Sequence, residues 1–185
     1  AAAASDGIIA NKPDAQGRFR AEPGATRYLR VPRGLGKYDP SFEVKSRDRW
    51  RLLVSDAADG VEDELTKMTG DVLVFVHGYA NDIDMVLWRT ETLQDSLAAQ
   101  GWRGTVIAYD WPSDNATLNY LEDRADAAAV ADRLVGDGVK VLVDAQNDPA
   151  RPCTLNVHLL GHSTGAYVIM EAFAQAEKQG ALFKS

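Results

Sequence analysis

The chain has a single cysteine, Cys153. No internal disulfide can staple the fold, and the thiol, directly before an apolar run and without a metal-spaced neighbour, reads as a small packing residue. No apolar stretch approaches the roughly 20 residues that a membrane span needs, so no transmembrane segment is expected. Metal-ligand spacing, a phosphate-cradling glycine loop and a dinucleotide fingerprint are all missing, so neither a metal nor a cofactor is expected. Histidines are scarce: His77, His158 and His162 are the three, and none follows position 162. The net charge of −7 is unfavourable for binding phosphate, which argues against a nucleic-acid partner.

That charge is unevenly spread. Residues 1–51 carry 11 Lys or Arg against 6 Asp or Glu, whereas residues 52–185 carry 9 against 21. Because the basic residues are interspersed with Gly, Pro and acids, they read as a leading segment attracted to an acidic body rather than as a nucleic-acid arm. With 185 residues, 45% hydrophobic and 25% charged, the chain suits one soluble globular domain with a real core. Residues 1–24 read as a flexible leader and 25–185 as the domain. The lone cysteine leans toward a reducing, cytoplasmic setting, while Ala1–Ala4 fits the trailing edge of a cleaved leader, which keeps export open.

Along the chain, Tyr28–Val31 and Trp50–Val54 look extended and suit antiparallel strands leading into a sheet. Asp56–Gly60 turns the chain, and Val61–Met68 reads as a short helical turn or loop. Asp71–Val76 is an uninterrupted β-branched and aromatic run, the pattern of a strand covered on both faces. A helix is expected from about Asp82 to Gln100, with Val86, Leu93 and Leu97 on one face and Gly101 as its stop. Thr105–Tyr109 is the next strand. A long helical region from about Thr117 to Val135 follows, broken or kinked at Gly136-Asp137-Gly138 before a further piece to about Gln146. The apolar run Thr154–Leu160 is a third strand, and Ala166–Lys178 a helix. Strand alternating with helix in this way gives an α/β fold with a mostly parallel sheet flanked by helices.

Such sheets concentrate function at the carboxyl ends of their strands. The three apolar strands end in His77-Gly78-Tyr79, Asp110-Trp111 and Gly161-His162-Ser163-Thr164-Gly165, so these clusters should converge. The last matches G-x-S-x-G, in which a sharp strand-to-helix reversal lifts a serine hydroxyl above the sheet and aims helix N-terminal amides at a reacting carbonyl. Gly161 and Gly165, two before and two after Ser163, must be small so that strand and helix can approach closely. His158 reads as a core or rim histidine, and the His162 side chain should point toward flanking structure. Asp110 suits either the orienting of a histidine or polar substrate, or a helix cap; Trp111 suits a pocket wall or loop anchor.

The HGY loop, the YDWPS segment and the LLGHSTG elbow, in this order and spacing, resemble the α/β-hydrolase superfamily. They are most similar to a bacterial branch catalogued as a domain of unknown function, number 900. The similarity covers about residues 70–178. Two departures stand out: Thr164 occupies a position where that branch usually has methionine, and Asp110 one where serine is common. The resemblance implies a serine hydrolase in which Ser163 forms an acyl-enzyme with a small-molecule ester, thioester or amide. It implies an oxyanion held by the backbone N–H groups of Thr164 and Tyr79, with His77 supporting the oxyanion loop or, less in keeping with related folds, acting as the base.

A triad in this superfamily runs Ser, then Asp or Glu, then His. Only 22 residues follow Ser163, none of them histidine, and a further βα unit takes about 30. The expectation is therefore an α/β-hydrolase portion, incomplete in its C-terminal strands, whose acid and histidine come from a complementary C-terminal polypeptide or an oligomer partner. A non-catalytic α/β-hydrolase scaffold used for protein binding, with Ser163 vestigial, is the alternative; a surface-associated adaptor using the basic leader is a thinner one.

Overall fold

The computed structural model describes the backbone of residues 7–11 and residues 25–58, 69–78, 81–111, 130–150 and 154–178. Five strands, β1 (Gly7–Asn11), β2 (Thr26–Arg30), β3 (Thr69–Val76), β4 (Thr105–Tyr109) and β5 (Thr154–Gly161), form one sheet in the order β2-β1-β4-β3-β5. β1, β4, β3 and β5 run parallel, and β2 closes the far edge antiparallel to β1. The expected mostly parallel sheet flanked by helices is thus present. β1 lies within the leading segment read as loose chain, where few large apolar residues announce a strand; it is held between β2 and β4 by backbone pairing.

Helices cover both faces. α1 (Arg47–Ala58), a π-helical turn (Leu134–Val139) running into α3 (Lys140–Gln146), and α4 (Thr164–Lys178) pack on one side, and α2 (Ile83–Ala99) on the other. The expected alternation along each strand decides which residue meets which layer. Val72, Val74 and Val76 with Ile107 and Tyr109 face the α1, α3 and α4 side. Ala108 joins Leu29, Val86 and Leu87 on the α2 side. All five residues of β4 are buried, as befits a strand with layers above and below it.

The structure corrects several expectations. Trp50–Val54 is helical, not extended: Trp50, Val54, Ser55 and Ala58 form the buried stripe of α1, a spacing of four that a period-two reading misses. Ser46 precedes this helix and its hydroxyl accepts from the Arg49 N–H at 3.2 Å, a local start signal. Trp50 then packs on the Tyr28 ring with centroids 5.0 Å apart and donates Nε1–H to the Leu29 carbonyl at 3.2 Å. α2 falls where expected, capped by the Asp82 side chain on the Met85 N–H. Its buried stripe, however, is Val86, Leu87, Thr90 and Gln94 rather than Val86, Leu93 and Leu97. Gln94 is recruited because its amide bonds both the Gly104 carbonyl at 3.1 Å and the Val106 N–H at 2.7 Å. Gly136-Asp137-Gly138 does not break its helix but widens it into the π turn, which lets Asp137 reach β2: its carboxylate accepts from the Thr26 hydroxyl and its carbonyl from the Tyr28 hydroxyl at 2.8 Å. The turn at Val61–Met68, residues 117–129 of the long helical region, Pro112, Ser113 and Cys153 lie outside the described residues.

Two outcomes follow for stability. Leu142, fully buried in the main core, should lose about 2–5 kcal/mol of unfolding free energy on Leu142→Ala, whereas Leu52→Ala, at a side chain 47% exposed, should stay within about 0.5 kcal/mol; chemical denaturation checks both. Burial, and next the Asp137 carboxylate, push the Tyr28 phenol from its ordinary value of 10.0 up to about 12. The neutral phenol is thus favoured in the folded state, so its stabilisation is intact below pH 10 and is lost as pH rises toward 12. Denaturation of Tyr28→Phe across that window should show a flatter fall than the parent.

Candidate active site

Parallel register puts Val76 opposite Tyr109 on one side and Gly161 on the other. The residues that follow each strand, His77-Gly78, Asp110-Trp111 and His162-Ser163, therefore share one rim of the sheet. The Val76 carbonyl accepts from the His162 N–H at 3.0 Å, carrying the β3–β5 ladder one residue past the strand end.

The chain reverses at Ser163. Its φ of 55° lies in the left-handed region, and among the described residues it is the one non-glycine with a positive φ. A β-substituted residue held there stores strain of order 1 kcal/mol or more, which a well-packed surround must hold. That surround is tight. A Cβ on Gly165 would run into the Val76 carbonyl oxygen and lie 2.5 Å from that of His77, and a Cβ on Gly161 would lie 2.5 Å from the Ala166 backbone. Both glycines are thus required by close approach of backbones, as their spacing predicts. Gly78 is equally confined: a Cβ there would lie 2.8 Å from the His162 carbonyl oxygen and 3.0 Å from the Ser163 Cβ.

Ser163 is exposed, and α4 starts directly behind it. Gly165 and Ala166 turn their N–H groups back to the His162 and Ser163 carbonyls, at 2.9 and 3.0 Å, while the Thr164 N–H makes no such bond to the described residues. The positive end of a 15-residue helix, equivalent to about half a charge, consequently sits at the serine. The Thr164 hydroxyl is buried and finds no partner among the described residues.

His77 occupies the floor of the rim, fully buried. Its Nδ1 lies 2.8 Å from the Gly78 carbonyl oxygen and its Nε2 3.0 Å from Asp110 Oδ1; the Trp111 N–H also points at Nε2, at 3.1 Å. The Trp111 ring stacks on the imidazole at 5.6 Å and donates Nε1–H to the His77 carbonyl at 2.8 Å. Of the roles considered for Asp110 and Trp111, orienting a histidine and anchoring the loop match these contacts. Asp110 is buried and, among the described residues, tied to the ring rather than to a helix end.

The other histidines lie elsewhere. His162 is exposed, with its ring against Gly78. His158 is exposed on β5 and bonds Asp71 across the sheet at 2.9 Å, so it is a rim histidine rather than a core one. Tyr79 lies outside the described residues. Sequence reading missed Asn81, whose Nδ2 donates to the Gly78 carbonyl at 2.9 Å; nothing in its local pattern separates it from an ordinary loop residue before a helix cap. Among the described residues no group of His, Cys, Asp and Glu is arranged to hold a metal ion, and no helix is long and apolar enough to cross a membrane.

Because the Gly165 position abuts backbone oxygens, Gly165→Ala should be strongly destabilising, with a fall in the thermal midpoint or loss of folded protein. Gly136→Ala, with nothing within 4 Å of the added carbon, should hold or raise stability by about 0.5–1 kcal/mol through helix propensity. Thermal unfolding of the two variants side by side checks the contrast.

Comparison with curated proteins returns no match, and neither does comparison with solved structures. Comparison with family models matches residues 55–182 to the family described as alpha/beta hydrolase of unknown function (DUF900). That span holds β3, β4, β5, the elbow and the helix behind it, so the chain belongs to this alpha/beta hydrolase family.

Proposed function

We propose that the protein is a serine hydrolase that cleaves small-molecule acyl compounds, an ester, thioester or amide, through an acyl-enzyme on Ser163. The observation that carries this reading is the strained, exposed Ser163 at φ 55°, set between the N-terminus of α4 and the Gly78 loop. In the reaction, Ser163 Oγ attacks the carbonyl carbon and its proton passes to a general base. The tetrahedral oxyanion is held by the Thr164 and Tyr79 N–H groups, each such donor being worth about 3 kcal/mol in the transition state. Collapse expels the alcohol, thiol or amine with the base's proton, and water then releases the acid by the same steps in reverse order. No cofactor enters this scheme.

The base is not His77, which is buried and engaged at both ring nitrogens, nor His158, which is tied to Asp71. A histidine and an acid supplied by complementary polypeptide complete the reading. Among the described residues β5 is an edge strand of the sheet, and Leu160 on it is 41% exposed while Trp88 on α2 is 58% exposed. On the opposite face, Met170 and Phe173 of α4 are also exposed. Apolar groups flanking, on both sides, an edge left unpaired among the described residues support a covering segment or partner there. The alternative of a non-catalytic scaffold draws on one observation, that among the described residues the histidine side-chain hydrogen bonds run to Gly78, Asp110, Trp111 and Asp71 and none to Ser163.

A fluorophosphonate probe separates the two readings. Applied to the complete assembly, it should label the protein covalently, and Ser163→Ala should abolish labelling; an assembly that stays unlabelled favours the scaffold.

A further inference from the structure

Two donors of one residue stand unused beside Ser163. The Thr164 hydroxyl oxygen is buried without a hydrogen-bond partner among the described residues, and the Thr164 N–H makes none of the backbone bonds by which Gly165 and Ala166 close the turn. A buried hydroxyl without a partner is unfavourable, and a valine of the same shape would avoid the cost. Two other buried hydroxyls are also unpaired among the described residues, Ser55 on α1 and Thr105 on β4. Thr105, however, opens its strand at the end remote from the rim, and of the three only Thr164 adjoins the serine.

Helix geometry says where this side chain lies. Thr164 precedes Val168 by one turn, and Val168 is fully buried in the core between α4 and the sheet. Side chains on a helix tilt toward its N-terminus. The Thr164 side chain therefore stands on the inward face of α4 and leans past its first turn, toward the rim of the sheet. In the staggered positions open to a helical threonine, the hydroxyl lies gauche to the residue's own nitrogen, so the O–H and the N–H can meet at one acceptor.

We propose that the Thr164 hydroxyl is a catalytic residue of this site, donating to the oxyanion beside the Thr164 N–H. This rests on the serine-hydrolase reading and adds a side-chain donor to its two backbone ones. The hydroxyl keeps its proton throughout. It gains an acceptor when Ser163 Oγ adds to the carbonyl and the oxygen becomes charged, and gives it up when the carbonyl re-forms. A donor left unpaired in the resting site and satisfied only as charge develops lowers the transition state without tightening the ground state.

Thr164→Val removes the hydroxyl and keeps the shape of the side chain. With p-nitrophenyl butyrate and the complete assembly, kcat should fall roughly 10-fold or more while KM stays within about twofold. The thermal midpoint should hold or rise, because an unpaired buried polar group has been removed. Inhibition by a trifluoromethyl ketone, whose adduct with the serine carries the oxyanion, should weaken in parallel with kcat. Thr164→Ser, which keeps the hydroxyl, should retain most of the parent kcat. An unchanged kcat in Thr164→Val, with Ser163→Ala inactive, overturns the inference and leaves the hydrolase reading standing. Equal losses in Thr164→Val and Thr164→Ser do the same, and so does a loss of kcat that tracks a fall in thermal midpoint. Activity that survives Ser163→Ala, or a parent protein inert toward esters and fluorophosphonate alike, overturns the underlying reading instead.

Discussion

The site depends on how closely the first turn of α4 approaches the end of β3. Gly165 lies against the Val76 and His77 carbonyl oxygens with no room for even one methyl group, and Gly161 lies as close to Ala166. This contact leaves the chain no gradual path from strand to helix. The reversal has to be taken at one residue, and Ser163 takes it at φ 55°. Exposure of the serine, its place at the positive end of the helix and its nearness to Gly78 all follow from that single packing constraint.

The sheet fixes the rest of the rim. Because β3 pairs in parallel with β4 and with β5, and because the three end in step, the residues following them arrive side by side without any special loop architecture. His77 comes to rest under the rim, between Asp110 and the Gly78 carbonyl, and Trp111 closes over it. Burying a histidine and a carboxylate together is costly unless each meets a partner, and here they meet one another. Asp110 thus puts a carboxylate where the ring of His77 can be oriented.

His77 ends β3, the strand beside the elbow's β5, and in the fold it is buried with both ring nitrogens against partners. Position at a strand end is visible in a sequence, but burial and hydrogen-bond direction are not. His158 shows the same limit in reverse. Within an apolar run it reads as a core or rim residue, and it proves to be on the rim, because β5 lies at the sheet's edge and lets its side chain reach Asp71 and solvent.

What the sequence determined by itself was the set of elements with strong local signals. The β-branched runs at 71–76 and 105–109, the Asp82-capped helix and the glycine spacing around Ser163 announce themselves because each is enforced by near neighbours in the chain. Tertiary structure decided the remainder. It made 50–54 a helix, since Trp50 and Val54 find one core only at a spacing of four, and it took residues 7–11 into the sheet through pairing with β2 and β4. It also turned α2 to bury Gln94 and brought Asn81 onto the Gly78 carbonyl. In each of these cases the deciding partner is remote in sequence or set by the path of a loop, so the preference of the residue alone carries no trace of it.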